Sequence, residues 1–172
     1  MPREGDKADK LRRMGKKVFP SEGTQMEAKA TFTAGRHFDV SLGSGYRFDI
    51  DASPDQGGEG RGARPMELLL AGLAGCTGMD IVSILEKSRQ EMTGFEVVVT
   101  GERAKDYPMV FTEIAVEYVI RGRNISEDAV KRAIELSETK YCSASAMLGK
   151  TAKITSSYRI EEDARTATRL AR

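Results

Sequence analysis

The chain contains few of the residues that bind metals or form disulfides. Among its 172 residues there are two cysteines, Cys76 and Cys142, and one histidine, His37. A structural zinc site takes about four Cys or His ligands, and small secreted proteins that depend on disulfides are much richer in cysteine. We therefore expect neither a metal nor a disulfide scaffold. Two interpretations of the thiols are left: inert buried side chains, or redox groups.

Excess charge of one sign and long apolar runs are also lacking. The 27 Lys and Arg residues nearly balance the 26 Asp and Glu residues, so the net charge of +1 gives no reason to expect nucleic acid. We find no uninterrupted apolar run of the ~18 residues that a membrane span requires, and the polar N-terminus has no signal-peptide core. The stretch "GGEGRG" lacks the Gly-Lys-Ser/Thr ending of a phosphate-binding loop. We therefore expect a cytoplasmic protein without nucleic-acid, membrane or nucleotide binding.

The pattern of apolar residues divides the chain into three parts. It predicts a flexible basic arm over residues 1–24, one folded domain over 25–160 and a charged C-terminal tail over 161–172. Alternating apolar residues predict three strands before a loop of about 13 residues, and later strands in "GFEVVVTGERA", "FTEIAVEYVIRG" and "TAKITSSYRI". Runs of strands, rather than a strict alternation with helices, favour an α+β fold with an antiparallel sheet.

A long helix is predicted to begin at Pro65, in "PMELLLAGLAGCTGMDIVSILEK". It is apolar on nearly every side, which is typical of a central helix. One sheet covers only one side, so we expect a second copy of the chain to cover another, with Gly72, Gly75 and Gly78 permitting close approach. We expect regular structure to end at Gly94.

Cys76 lies about three turns into this helix. A free cysteine among apolar residues is commonly inert, and a reactive one needs a nearby cation and access to solvent. Asp80, one turn later, would oppose a thiolate on the same face. An activating charge must therefore come from outside the helix, and the candidates are Arg36, Arg47, Arg61 and Arg64.

Cys142 follows a second, amphipathic helix, which is predicted in "NISEDAVKRAIELSETKY" with Ser126 as its N-cap. The small residues after Cys142 would let another segment come close. If the two helices pack together, the two thiols could act as an attacking and a resolving cysteine.

The two cysteine segments, taken in order, resemble those of the OsmC/Ohr family of thiol-dependent peroxidases. "PMELLLAGLAGCTGMDIVSILEK" is similar to the family's central helix, closest to the branch with Pro-Met-Glu-Leu before the first cysteine, and "YCSASAMLG" resembles the second-cysteine segment. The resemblance covers roughly residues 26–160. It implies an OsmC-like intertwined homodimer, with two central helices packed between antiparallel β-sheets and active sites at the dimer interface.

The resemblance also assigns roles to individual residues. Cys76 matches the peroxidatic cysteine and Cys142 the resolving one, while Arg36 matches an activating arginine. The family's hydroperoxidase branch has a glutamate ten residues before the cysteine, where this chain has Met66. Glu67, one place later and about 100° around the helix, is the candidate for this catalytic role.

The implied function is the reduction of organic hydroperoxides through a Cys76 sulfenic acid and a Cys76–Cys142 disulfide, in defence against oxidative or osmotic stress. The enzyme would need no cofactor beyond an external dithiol reductant, lipoyl-type by resemblance. Other interpretations stay open at this level. They are a non-catalytic thiol redox sensor, a small-ligand-binding dimer with the same fold, and a structural stress protein whose cysteines only pack.

Overall fold

A computed structural model describes residues 26–163, in two compact units that divide after Pro65. The predicted arm and the predicted tail beyond residue 163 lie outside the described residues. The first unit contains three strands: β1 (Ala28–Ala34), β2 (His37–Leu42) and β3 (Arg47–Ile50). The second unit contains, in order, α1 (Pro65–Lys87), β4 (Glu91–Arg103), β5 (Phe111–Arg123), α2 (Glu127–Leu136), α3 (Ser143–Leu148) and β6 (Lys153–Glu162).

The first unit is an antiparallel sheet with the strand order β1-β2-β3. The three predicted strands are present, and β2 and β3 form a hairpin on either side of the "GSG" turn with Phe38 opposite Ile50. Val40 is the buried residue of the central strand. Every residue of β1 is exposed, so the described chain leaves this edge strand uncovered.

The glycine-rich loop after β3 is organised by one buried carboxylate. Asp51 accepts hydrogen bonds from the backbone amides of Ala52, Glu59 and Arg61 at 2.8, 2.9 and 3.1 Å. These bonds, that of Arg61 foremost, lower the pKa of Asp51. A Cβ added at Gly58 would lie 1.9 Å from the carbonyl oxygen of Ala52, so the backbone approaches too closely for any other residue.

The sheet of the second unit has the strand order β4-β5-β6. β4 and β5 are antiparallel, as expected, but β5 and β6 are parallel. The expectation of a purely antiparallel arrangement was therefore wrong for this pair. The physical reason is the connection over residues 124–152, whose helices return the chain to the end of the sheet where β5 began.

The core of the second unit forms between α1 and the sheet. Leu73, Ile81 and Leu85 of the helix are fully buried in one cluster with Tyr118 and Ile120 of β5. In β5, Ile114, Val116, Tyr118 and Ile120 alternate along the strand and are all buried, so one face of the strand packs into this core.

The three glycines of α1 have different surroundings. A Cβ on Gly78 would lie 3.3 Å from Cγ2 of Val97, so this glycine permits close packing against β4. Gly72 and Gly75 have open space where a Cβ would be. Only Gly78 therefore has its close contact within the described chain.

By length and composition α1 could cross a membrane. Its most apolar 18-residue window has a mean hydropathy of 1.9, and 28% of that window is buried. The sequence shows no uninterrupted apolar run here because Gly72, Gly75, Thr77, Gly78 and Asp80 interrupt the apolar residues. The core helix of a soluble protein meets the same criterion.

The predicted end of regular structure at Gly94 was wrong. α1 ends at Lys87, and Gly94 lies inside β4, where the register against β5 shifts between Met92 and Gly94. A Cβ at Gly94 would contact the side chain of Arg121 at 3.5 Å. The glycine therefore accommodates a neighbouring side chain at a β-bulge and does not stop the strand.

Candidate active site

The two cysteines, 66 residues apart in sequence, are close together in the fold. Their sulfur atoms and a carboxylate oxygen of Asp80 all lie within 4.8 Å of one another. Both thiols are free; Cys76 is half-buried and Cys142 is 3% exposed. The two cysteines therefore lie close together, with Cys76 partly exposed to solvent and Cys142 buried.

Short, irregular helical segments position Cys142. After α2 the chain continues in a π-helical turn over Ser137–Tyr141, and Cys142 then caps α3. Its sulfur accepts a hydrogen bond from the backbone amide of Ser145 at 3.4 Å. Neither the π-turn nor α3 was predicted from the sequence. π-turns are frequent at functional sites, and a sulfur here takes the place of the usual capping oxygen.

The surroundings of Cys76 disfavour its thiolate. Burial is the largest influence and raises the pKa of Cys76, as do the neighbouring Cys142 and the charge of Asp80. A hydrogen bond from the backbone of Ala144 acts in the opposite direction. None of these influences, among residues 26–163, comes from a Lys or Arg. Nucleophilic chemistry at Cys76 therefore requires a cation that these contacts do not supply.

A chain of buried hydroxyl groups lies beneath the thiols. Thr77 Oγ1 is 2.8 Å from the hydroxyl of Tyr118 and 3.0 Å from Oγ of Ser137, which donates to Oδ2 of Asp80 at 3.1 Å. Because Ser137 uses its one proton on Asp80, Thr77 must donate to Ser137 and Tyr118 to Thr77. Burial raises the pKa of Tyr118 to about 12, so its proton stays available for this role. The chain of donors therefore ends on Asp80.

A cavity of about 340 Å³ adjoins this cluster, and Asp80 forms part of its wall. Its wall contains both apolar and polar side chains, among them the cation of Lys87. The other residues that line it are Ser83, Ile84, Ser88, Leu136 and Tyr141.

The proximity of Asp80 to Cys142 was not expected from the sequence. Only its proximity to Cys76 was expected, because the two residues are four apart on one helix. Thr77 and Ser137, hydroxyl-bearing residues that each lie near a cysteine in the sequence, were the available signal for the hydrogen bonds around Asp80.

Arg36 and Glu67 are not placed beside the thiols by the described contacts. Arg36 is exposed in the turn between β1 and β2 of the first unit, where its Nε lies 3.3 Å from the position of a Cβ on Gly57. Glu67 is exposed in the first turn of α1. It precedes Cys76 by nine residues, about two and a half turns, so it projects from the opposite side of the helix. The roles assigned to Arg36 and Glu67 stay predictions.

Comparison with known proteins places this geometry in a family. Residues 57–157 match the family model described as OsmC-like protein. The chain belongs to the OsmC-like family. It is also 36% identical over 135 residues to protein YhfA of Escherichia coli (strain K12), an alignment that covers 78% of this chain and 98% of YhfA.

Solved structures with this OsmC-like fold superpose closely. A hypothetical protein from Aquifex aeolicus VF5 matches with a TM-score of 0.72 and 28% identity, covering 82% of this chain and 99% of that one. An organic hydroperoxide resistance protein OsmC from Legionella pneumophila matches with a TM-score of 0.62 and 18% identity, covering 78% and 96%. The predicted OsmC-like α+β fold is thus confirmed.

Proposed function

We propose that this OsmC-like protein is a thiol-dependent peroxidase that reduces organic hydroperoxides with Cys76 and Cys142. The observation that carries the proposal is the proximity of the two free sulfur atoms, both within the 4.8 Å cluster. Cys76 is the more exposed of the two, which suits the thiol that meets the substrate. Cys142 is buried beside it, which suits a thiol that reacts only with the first.

The proposed reaction has two steps. The Cys76 thiolate attacks the distal oxygen of the hydroperoxide, the O–O bond breaks, and the alkoxide takes up a proton and leaves as an alcohol. Cys76 is then a sulfenic acid. The Cys142 thiol displaces water from it, and a disulfide forms. An external dithiol, of the lipoyl type by family resemblance, returns both cysteines to thiols and is itself oxidised.

The thiolate needs an activating charge because the described neighbours raise the pKa of Cys76. We propose that this charge is an arginine from another segment of the assembly, and the family resemblance indicates Arg36. The same resemblance indicates a homodimer. Large apolar side chains of α1 support a second copy, since Leu69 is 46% and Met79 72% exposed. Gly72 and Gly75 leave room for its approach.

Organic hydroperoxides are the proposed substrates because Cys76 belongs to an apolar cluster. The Legionella neighbour is named an organic hydroperoxide resistance protein, which supports the same class. Defence of the cytoplasm against oxidative or osmotic stress is the corresponding cellular role.

The test is peroxide consumption by the full-length protein with reduced lipoamide. We expect turnover of tert-butyl hydroperoxide in preference to hydrogen peroxide. Cys76→Ser should lose turnover entirely, whereas Cys142→Ser should lose repeated turnover but still form the sulfenic acid. Met147→Leu removes an exposed sulfur close to Cys142 and should leave the rate unchanged. Equal consumption by wild type and Cys76→Ser would refute the proposal.

A second candidate is a redox sensor, which needs one oxidation event and no turnover. The raised pKa of Cys76 favours it, because a thiol that is mostly protonated reacts slowly. The number of turnovers distinguishes the two functions. A sensor consumes one equivalent of hydroperoxide per chain even with excess dithiol at short times, whereas a peroxidase continues.

A further inference from the structure

We propose that Cys76, Asp80 and Cys142 together form a binding site for a thiol-preferring divalent cation such as Zn²⁺. The three side chains offer two sulfurs and one carboxylate oxygen, all within 4.8 Å of one another. Bond lengths of about 2.3 Å for Zn–S and about 2.1 Å for Zn–O put the ligand atoms of a tetrahedral site roughly 3.5–3.8 Å apart. Side-chain rotations that move the ligand atoms by about 1 Å therefore suffice to bring all three onto one ion.

Two cysteines and one histidine are too few for a zinc site built from Cys and His alone. A carboxylate is also a known zinc ligand. The fold places the carboxylate of Asp80 near Cys142, although the two residues are far apart in the sequence. Three protein ligands leave a fourth position for water or another ligand, as in zinc sites that are not purely structural. Asp80 also lines the neighbouring cavity.

Groups outside the three ligands hold them in place. Ser137 donates to Oδ2 of Asp80 at 3.1 Å, so that oxygen is oriented and the other can turn toward the sulfurs. The backbone amides of Ala144 and Ser145 donate to the sulfurs of Cys76 and Cys142, respectively. Hydrogen bonds of this kind fix metal ligands and raise metal affinity by about 10- to 100-fold.

The charges of the cluster fit a cation. Two thiolates and a carboxylate carry three negative charges, and a divalent ion bound between them would offset two of these. Two thiol protons leave as the metal–sulfur bonds form, so affinity should rise steeply with pH. Occupancy would exclude peroxide chemistry while it lasts, because both thiols are then metal ligands. The inference uses the thiols of the proposed peroxidase but does not require that they turn over peroxide.

The test is a titration of the reduced, metal-free, full-length protein with Co²⁺, which reports thiolate ligands by a sulfur-to-cobalt absorption band. We expect one Co²⁺ per chain and its displacement by Zn²⁺, which binds such sites more tightly. Cys76→Ser and Cys142→Ser should abolish the band. Asp80→Asn should weaken binding at least about tenfold, while Asp80→His, which restores a ligand, should retain it. Glu86→Gln, an exposed carboxylate of the same helix, is the matched control.

Circular dichroism establishes that each variant is folded before it is titrated. Absence of the band in wild type, or equal affinity in wild type and Asp80→Asn, would overturn the inference. Because absorption is read without peroxide, an active peroxidase that shows no band refutes the metal site alone. A band in a protein without peroxidase activity refutes the proposed function and leaves the metal site standing.

Discussion

In the described chain, the carboxylate beside Cys76 is not the one that the family resemblance indicates. Glu67 projects from the opposite side of α1, whereas Asp80 lies within 4.8 Å of both sulfurs. A carboxylate paired with an arginine can help to hold a thiolate site, but Asp80 acts on Cys76 directly and raises its pKa. At the scale of single residues, the charge of Asp80 therefore opposes formation of the Cys76 thiolate.

Removing that charge should lower the pKa of Cys76. In Asp80→Asn the like-charge repulsion is lost, so the thiolate becomes easier to form and the pH midpoint of alkylation moves down. The measurement is iodoacetamide labelling against pH, in a Cys142→Ser background and with a chelator present. Glu86→Gln should leave the midpoint in place. A midpoint that is unchanged or higher in Asp80→Asn would contradict this account of the site.

How well each element could be predicted depends on the strength of its sequence pattern. The β2–β3 hairpin, α1 and α2 have clear periodicity or caps, and each was predicted near its observed place; Ser126 indeed caps α2 through a hydrogen bond from the amide of Ala129. The π-turn and α3 span five and six residues, too few for a period to show.

The remaining misses depend on distant parts of the chain. The parallel pairing of β6 follows from the crossover of residues 124–152, and the contact of Asp80 with Cys142 follows from the packing of α1 against the segment after α2. No local pattern encodes either. The family resemblance predicted that the two cysteines lie close together because it implies the whole fold and not only local structure.

The hydroxyl chain joins three elements, and its loss should destabilise the fold. Thr77→Val keeps the shape but removes the acceptor of the buried Tyr118 hydroxyl and the donor to Ser137. We expect a loss of about 1–3 kcal/mol in the free energy of unfolding, measured by urea denaturation. Thr112→Val, on the exposed side of β5, should change stability by no more than about 0.5 kcal/mol. Equal stability of both variants would show that the chain of hydroxyls contributes nothing.

At the scale of the whole molecule, the exposed apolar surface of α1 is where we propose that a second copy packs. Met79→Glu would place a charge at a residue that is 72% exposed in the single chain and covered in the proposed dimer. We expect light scattering to report a dimer for wild type and a shift toward monomer for Met79→Glu. Tyr107→Glu alters another highly exposed side chain and should keep the dimer. A monomeric wild type would refute the second copy.

The central claim is that Cys76 and Cys142 of one chain act together on a hydroperoxide. It is tested most directly by peptide mass spectrometry of the reduced protein after one equivalent of tert-butyl hydroperoxide. The account predicts a single product in which the peptides of Cys76 and Cys142 are joined with the loss of two hydrogen atoms. Two unmodified thiols, or a disulfide that links different chains, would contradict it.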